Sequence, residues 1–287
     1  MIQSIPQSRA FQKTYTVYVC LFFLFLLAPL VTVAVFSMND SVFPSLPWEG
    51  FSLDWYFASN KERLGLFHDG VIKESIITSL MIALFVAILS VTLAITNALL
   101  FERYDFRGKQ FLYSLMLLPL VVPGVILGIS ILSFSSGIAN TIEDSYGLDL
   151  EFLRPGLPLV VLGQFAFIST MATLVISARL RKLDSEMEEA ALNLGASRLE
   201  VFITITLPWL KPAVMGSAVV AFLMSFENFN TTLILAGSDS PLTITLFDRM
   251  REGSTPVLNA VSTLLMVGSG VLALVSIFVQ RTETREK

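Results

Sequence analysis

The sequence has almost no cysteine and almost no histidine: one of each, Cys20 and His68, in 287 residues. A lone cysteine permits no internal disulfide and no cysteine-built metal site. A lone histidine in a charged stretch supplies neither a metal site nor a nucleophile, base and orienting group together. Charge is scarce as well. Only 15% of residues are Asp, Glu, Lys or Arg against 54% hydrophobic, and the mean hydropathy is +0.72, far too apolar for a soluble domain of this length. The solvent of such a chain is the bilayer.

A phosphate-cradling loop is also missing. That loop needs Gly, four residues, then Gly-Lys-Ser/Thr, so that backbone amides can surround phosphate. Here Gly108 and Lys109 are followed by Gln110, and position 103 is Arg. Any ATP hydrolysis that this chain uses is expected from another chain.

What the sequence does have is long uncharged runs. About 20 apolar residues cross the hydrocarbon core as a helix, and six runs qualify: Tyr15–Phe36, Ser75–Phe101, Phe111–Gly137, Pro155–Ala178, Pro212–Gly237 with Glu227 inside it, and Val257–Gln280. The expected fold is an all-α integral membrane protein of six transmembrane helices, one domain over residues 1–287. The first run is longer than a signal-peptide core and is followed by no convincing cleavage site, so it reads as a retained helix.

Lysine and arginine should be in excess on the cytoplasmic side. With the amino terminus inside, that side collects Arg9, Lys13, Arg103, Arg107, Lys109, Arg179, Arg181, Lys182, Arg198, Lys211, Arg281, Arg285 and Lys287, thirteen of the 19. Lys61, Arg63, Lys73, Arg154, Arg249 and Arg251 stay outside. Both termini are expected to be cytoplasmic.

The outer segment Ser37–Glu74 carries Trp48, Phe51, Trp55, Tyr56 and Phe57, rings that favour the membrane surface, so it is expected to lie along the interface. The outer connections Ile138–Arg154 and Ser238–Pro256 read as solvated loops. Inside, Glu102–Gln110 is a compact turn, whereas Arg179–Lys211 is longer than most connections in a compact domain. Ser185 with Glu188, and Ser197 with Glu200, each have capping-box spacing. Met187, Ala190, Ala191 and Leu194 form one helical stripe, Leu199, Phe202, Ile203 and Thr206 another, and Gly195 suits a left-handed cap between them. Periodicity alone leaves open an amphipathic connector resting on the membrane.

The residues narrow that choice. Glu189, Ala190, Ala191, three residues, Gly195, nine residues, Ile205, one residue, Leu207, Pro208 resembles the EAA loop of the membrane subunits of binding-protein-dependent ABC importers. Arg103–Lys109 resembles that family's basic turn between helices 2 and 3, and Gly50–Tyr56 its aromatic segment after helix 1. With Leu118–Gly124 and Pro241–Asn259, the likeness covers most of the chain, and within the family it is nearest the polyamine (spermidine and putrescine) permeases of the PotC type.

This resemblance implies a non-catalytic permease subunit of an inner membrane. It implies a cytoplasmic coupling-helix loop between helices 4 and 5, in which Glu189, Ala190, Ala191, Gly195, Leu207 and Pro208 meet an ATPase subunit. It also implies a second homologous permease, two ATPase subunits that bind ATP and Mg, and a periplasmic or extracellular solute-binding protein. No cofactor and no nucleic acid are expected on this chain.

Glu227 is the one acid inside a run, and mid-helix it would cost ~2.5–3.5 kcal/mol on insertion scales. With Asn228, Asn230 and Thr231 it is a candidate for the solute path, against the alternative of a helix-packing hydrogen bond or an ion pair with a partner. The resemblance to polyamine permeases implies two adjacent acids here, and the second position is Asn228. Asn97, Gln164 and Thr170 read as packing residues. Polyamine import is the leading reading. Import of another small solute (an amino-acid derivative, an opine or iron) and transport without ATP are the alternatives.

Overall fold

The computed structural model describes residues 8–60, 63–253 and 255–285, with side chains described as far as residue 274. Lys61 and Lys287, counted above in the charge distribution, lie outside the described residues, as do the side chains of Arg281 and Arg285. The helices are α1 (Arg9–Phe36), α2 (Asp54–Phe57), α3 (Gly70–Arg103), α4 (Lys109–Val121), α5 (Gly124–Tyr146), α6 (Leu157–Leu180), α7 (Ser185–Asn193), α8 (Arg198–Val201), α9 (Leu207–Phe226), α10 (Asn230–Leu235), α11 (Leu242–Gly253) and α12 (Val257–Arg285). Among the described residues, six stretches are long and apolar enough to span a membrane: Arg9–Phe36, Gly70–Arg103, Gly124–Tyr146, Leu157–Leu180, Arg198–Phe226 and Val257–Leu274.

The chain divides into two compact units. In the first, Met1–Lys73 with Asp248–Gly268, α1 exposes apolar side chains all round, as a span facing lipid or another subunit does. The segment after it is folded on itself. Trp55 is buried and donates its indole N–H to the Asn39 carbonyl at 2.9 Å, and the Tyr56 hydroxyl pairs with Ser37 at 2.7 Å. Only Trp48, Phe51 and Phe57 of the expected surface rings are exposed. Asp69 accepts from the Ile72 N–H at 3.1 Å and pairs with Arg249 at 2.6 Å. Burial opposes the charge of Asp69, but the hydrogen bonds from Arg249 and Ile72 outweigh it and hold the carboxyl below its ordinary 3.8. The helix cap it provides lets α3 begin at Gly70, earlier than the expected Ser75.

The second unit, Glu74–Phe247 with Ser269–Lys287, is built around α6. Ala83, Ala87, Ala94 and Ala98 line one buried face of α3, and Ala172, Ser169 and Ser177 are buried on α6. Small residues are what close helix packing in lipid requires, because no hydrophobic force separates helix from hydrocarbon tail. Val91, Ile176, Leu180 and Leu210 complete one apolar cluster; Ile82, Leu159, Val160 and Leu235 belong to a second.

Several expected boundaries are corrected. The run Phe111–Gly137 is two helices, because Pro123 has no N–H and drives Val122 into an extended conformation (φ −77°, ψ 127°). The outer connection expected from Ile138 is helical to Tyr146, and that expected over Ser238–Pro256 contains α11. The run Pro212–Gly237 is not one helix. Its helix starts at Leu207, continues the stretch from Arg198, and ends at Phe226, so the fifth span begins within the loop expected over 179–211. Between Phe226 and Asn230 the chain breaks.

Candidate functional site: a docking loop and a broken span

Two places in the second unit carry the candidate residues. The first is the connection from α6 to α9. Asp184, rather than the expected Ser185, caps α7, accepting from the Glu186 N–H at 3.0 Å. Asp184 comes first in the chain, and Glu188 is engaged elsewhere. Glu186 and Glu188 in the first turn favour the positive end of the helix dipole. At the other end the Ala196 N–H bonds the Ala191 carbonyl (3.1 Å) and the Gly195 N–H bonds Leu192 (3.0 Å), around Gly195 at φ +96°. This is the glycine-closed helix end expected from the sequence. The second capping box is also present: Glu200 N–H to Ser197 Oγ at 3.3 Å, and Ser197 N–H to the Glu200 carboxylate at 2.6 Å.

The helix then passes through one widened turn, Phe202–Thr206, where the Leu207 N–H reaches the Phe202 carbonyl five residues back. Pro208 has no N–H to offer Thr204 and its ring crowds that carbonyl, a conflict that the extra residue in the turn relieves.

The loop is held from its ends. Glu188 forms an ion pair with Arg103, 2.6 Å from Nε to one carboxylate oxygen, and accepts from the Thr206 hydroxyl at 2.5 Å on the other, joining α7 to the end of α3 and to the start of the fifth span. Arg103 also donates to the Leu183 carbonyl at 3.2 Å. Arg181 straddles both oxygens of Glu102 at 2.9 Å. Arg179 stacks 4.3 Å from the Trp209 ring centre. Between these anchors and the loop lies an open groove of about 730 Å³, lined by Leu99, Arg103, Glu188, Glu189, Arg198 and Phe202.

Among its exposed charges the loop also bares large apolar side chains. Leu194 is 90% exposed and Leu199 67%, and Met187 and Ile203 are more than half exposed. Glu189, Ala190, Gly195 and Pro208 are exposed, with Ala191 and Leu207 half-buried. Of the two adjacent acids, Glu188 braces the loop from within and Glu189 faces out.

The second place is the break. Glu227 does not sit mid-helix, as expected, but terminates α9 (φ −88°, ψ 0°), exposed. A carboxylate at a helix C-terminus adds to the negative end of the dipole, so the two together attract a cation. Asn230 is exposed beside it. Asn228 and Thr231 turn inward. The Asn228 carboxamide oxygen accepts from the Thr232 N–H (3.3 Å) and hydroxyl (3.2 Å), and the Thr231 hydroxyl donates to the Gly124 carbonyl at 3.4 Å.

Packing fixes α10 in turn. A Cβ on Gly163 would lie 2.3 Å from Leu235 Cδ1, and one on Gly128 3.1 Å from Ile234, so α10 rests against bare backbone of α6 and α5. The residue that sequence reasoning passed over here is Gln164. It is 1% exposed, its amide donates to Thr232 at 2.9 Å, and its oxygen accepts from the Ser225 hydroxyl. Asn97 and Thr170, dismissed alongside it, do make packing bonds: Asn97 to Thr173 at 3.5 Å and Thr170 to the Met116 carbonyl at 2.9 Å.

Six apolar spans, a braced loop that bares hydrophobic side chains and a span broken beside an acid define a polytopic α-helical membrane protein built to engage partners. Comparison with known proteins names the group. The pattern of the binding-protein-dependent transport system inner membrane components matches residues 94–284, and the chain belongs to that family; it is a multi-pass transport permease subunit.

It is 30% identical over 267 residues to the putrescine transport system permease protein PotI of Escherichia coli K12, covering 92% of this chain and 90% of that one. It is 29% identical over 275 residues to the spermidine/putrescine transport system permease protein PotC of Haemophilus influenzae, covering 96% and 98%. Among solved structures, a chain of a bacterial ABC transporter involved in the import of the acidic polysaccharide alginate superposes with a TM-score of 0.73 at 16% identity, covering 96% of this chain and 98% of that one. That likeness establishes the permease fold, and at such identity it carries no information on cargo.

Proposed function

We propose that this chain forms half of the translocation pathway of an ATP-driven importer for polyamines such as putrescine and spermidine, or for a similar organic cation. The observation that carries the reading is the loop from Asp184 to Pro208, rigidly capped, anchored through Glu188 and bare of cover on Leu194 and Leu199. Its occupant is a cytoplasmic ATPase subunit, met by Glu189, Ala190, Ala191, Gly195, Leu207 and Pro208. Both termini are then cytoplasmic, in keeping with the lysine and arginine distribution. A second homologous permease completes the pathway, two ATPase subunits bind ATP and Mg, and a solute-binding protein delivers cargo from outside.

In this reading ATP-driven closure of the ATPase pair moves α7 as a rigid body. The Arg103–Glu188–Thr206 junction passes that displacement to the second and fifth spans, and the pathway opens to one side and then the other. Glu227, at the negative end of α9, receives the cation, with Asn228, Asn230 and Thr231 around it. Two lines support the cargo: the names of the relatives and the electrostatics of Glu227. The alternative, an importer of another small solute, has Asn228 in its favour, since a neutral residue whose oxygen is engaged by Thr232 stands where a second acid is implied.

The test is uptake of labelled putrescine into proteoliposomes holding the chain with its partner permease and ATPase subunits, the solute-binding protein being present. Uptake should require ATP and all partners, and unlabelled spermidine should compete. Transport by the chain alone would sink the ATP-driven reading; ATP-driven transport of a different solute, with none of putrescine, would sink the cargo.

A further inference from the structure

We propose that Gln164 is a positioning residue that staples the broken fifth span, fixing where Glu227 and Asn228 stand. The inference rests on the reading of the break as part of the solute path, and deepens it.

The break poses a physical problem. α10 has only six residues, far fewer than the roughly 12–15 that a helix needs to be even marginally stable alone. Both ends of the break have backbone groups to satisfy at membrane depth, where unpaired polar groups are costly. Something outside the span must hold α10 at the end of α9.

Gln164 does so from α6. Its oxygen accepts from Ser225 in the last turn of α9, and its amide donates to Thr232 in the first turn of α10. One side chain thus bridges both helix ends across the break. The chain of bonds continues: the Thr232 hydroxyl, having accepted from Gln164, donates to the Asn228 carboxamide oxygen at 3.2 Å, and the Thr232 N–H reaches the same oxygen at 3.3 Å. Asn228, one residue before the N-cap Phe229, therefore satisfies a first-turn N–H of α10 and is oriented through Thr232 by Gln164. Its carbonyl is held from a third direction as well, by the Thr243 hydroxyl at 3.1 Å. Glu227 is left as the carboxylate at this corner, held in place by its neighbour.

Glutamine suits this position because it offers a donor and an acceptor on one short planar group. Leucine or methionine would fill the same space and bridge nothing. The surrounding void is too small to admit a rescuing water, being bounded closely by Ser79, Ile82, Phe226 and Pro241.

The experiment uses the full importer complex in proteoliposomes, with putrescine as the probe and Cys20→Ser as background. Spin labels at the exposed positions Val220 on α9 and Leu233 on α10 report the distance across the break. Gln164→Met should broaden that distance distribution and raise KM for putrescine about tenfold, the scale of a lost buried hydrogen bond. Vmax per assembled complex should change much less. Thr232→Val and Ser225→Ala, which each remove one bond, should give smaller shifts in the same direction, and they serve if Gln164→Met fails to assemble. Thr232→Val added to Gln164→Met should contribute little more.

An unchanged distance in Gln164→Met overturns the staple. A changed distance and unchanged KM, with KM raised in Glu227→Gln, overturns the positioning role. KM unchanged in both Gln164→Met and Glu227→Gln overturns the reading of the break as solute path.

Discussion

Between Asp184 and Pro208 the chain leaves apolar side chains bare and is held in shape from its two ends; between Phe226 and Asn230 it hides polar side chains and is held from the side. In the loop, Leu194 and Leu199 are exposed while the charges of Glu188 and Arg103 meet beneath them. At the break, Gln164, Ser225 and Thr232 are buried among helices whose outer faces are apolar. Each inverts the rule for its surroundings, and in the proposed reading each inversion serves something outside the chain. Bare leucines on a polar loop await a partner surface; a polar network within the bilayer maintains an opening in a helix that lipid would otherwise favour closing.

The loop should be the more sensitive to backbone change. Gly195→Val forces a β-branched residue to φ +96°, where a Cβ would meet nothing within 4 Å. The substitution is therefore pure conformational strain, roughly 1–2 kcal/mol, relieved by reopening the turn. We expect ATP-driven uptake to fall by on the order of tenfold or more, with the amount of folded chain in the membrane unchanged. Wild-type uptake in Gly195→Val would show that the turn is not part of the coupling surface.

The adjacent acids sharpen the contrast between bracing and display. Glu188→Ala strands Arg103, which is 20% exposed, and frees Thr206; we expect a loss of about 2 kcal/mol, between the limits for exposed and buried pairs, read as a lower thermal midpoint of the purified chain. Glu189→Ala should leave that midpoint alone and weaken capture of the ATPase subunits in a pull-down. Equal midpoints for the two variants would erase the distinction.

This pair also shows what was legible in advance. The loop is local: its caps, stripes and Gly195 turn follow from residues within a few positions of one another, so sequence spacing reveals them. Which of Glu188 and Glu189 faces in depends on Arg103, 85 positions earlier in the chain, and no local pattern reports that. The break was illegible for the same reason. Pro212–Gly237 reads as one apolar run because no proline or glycine lies at Glu227–Phe229. What stops α9 there is tertiary: Gln164 bridging its end to α10, and glycines on α5 and α6 that admit α10 sideways. Gln164 was dismissed as packing since a lone polar residue in a membrane helix usually is, and its bond to Thr232 spans 68 positions.

The smallest expected effect tests how tightly the break is held from the side. Gly163→Ala would bring a methyl to 2.3 Å from Leu235 Cδ1 and 3.1 Å from Thr231 Cγ2. Leu235 is fully buried, so its terminal methyl has little room to retreat, and α10 itself must shift by a fraction of an ångström. Overpacking of this kind costs about 1–2 kcal/mol, and Leu235→Val in the same chain should recover part of it by removing the colliding reach. The pair should therefore be non-additive in thermal unfolding, whereas Gly163→Ala combined with Leu194→Ser on the distant loop should be additive. Additivity of Gly163→Ala with Leu235→Val would mean that α10 does not lean on Gly163, and that the break is held by its polar bonds alone.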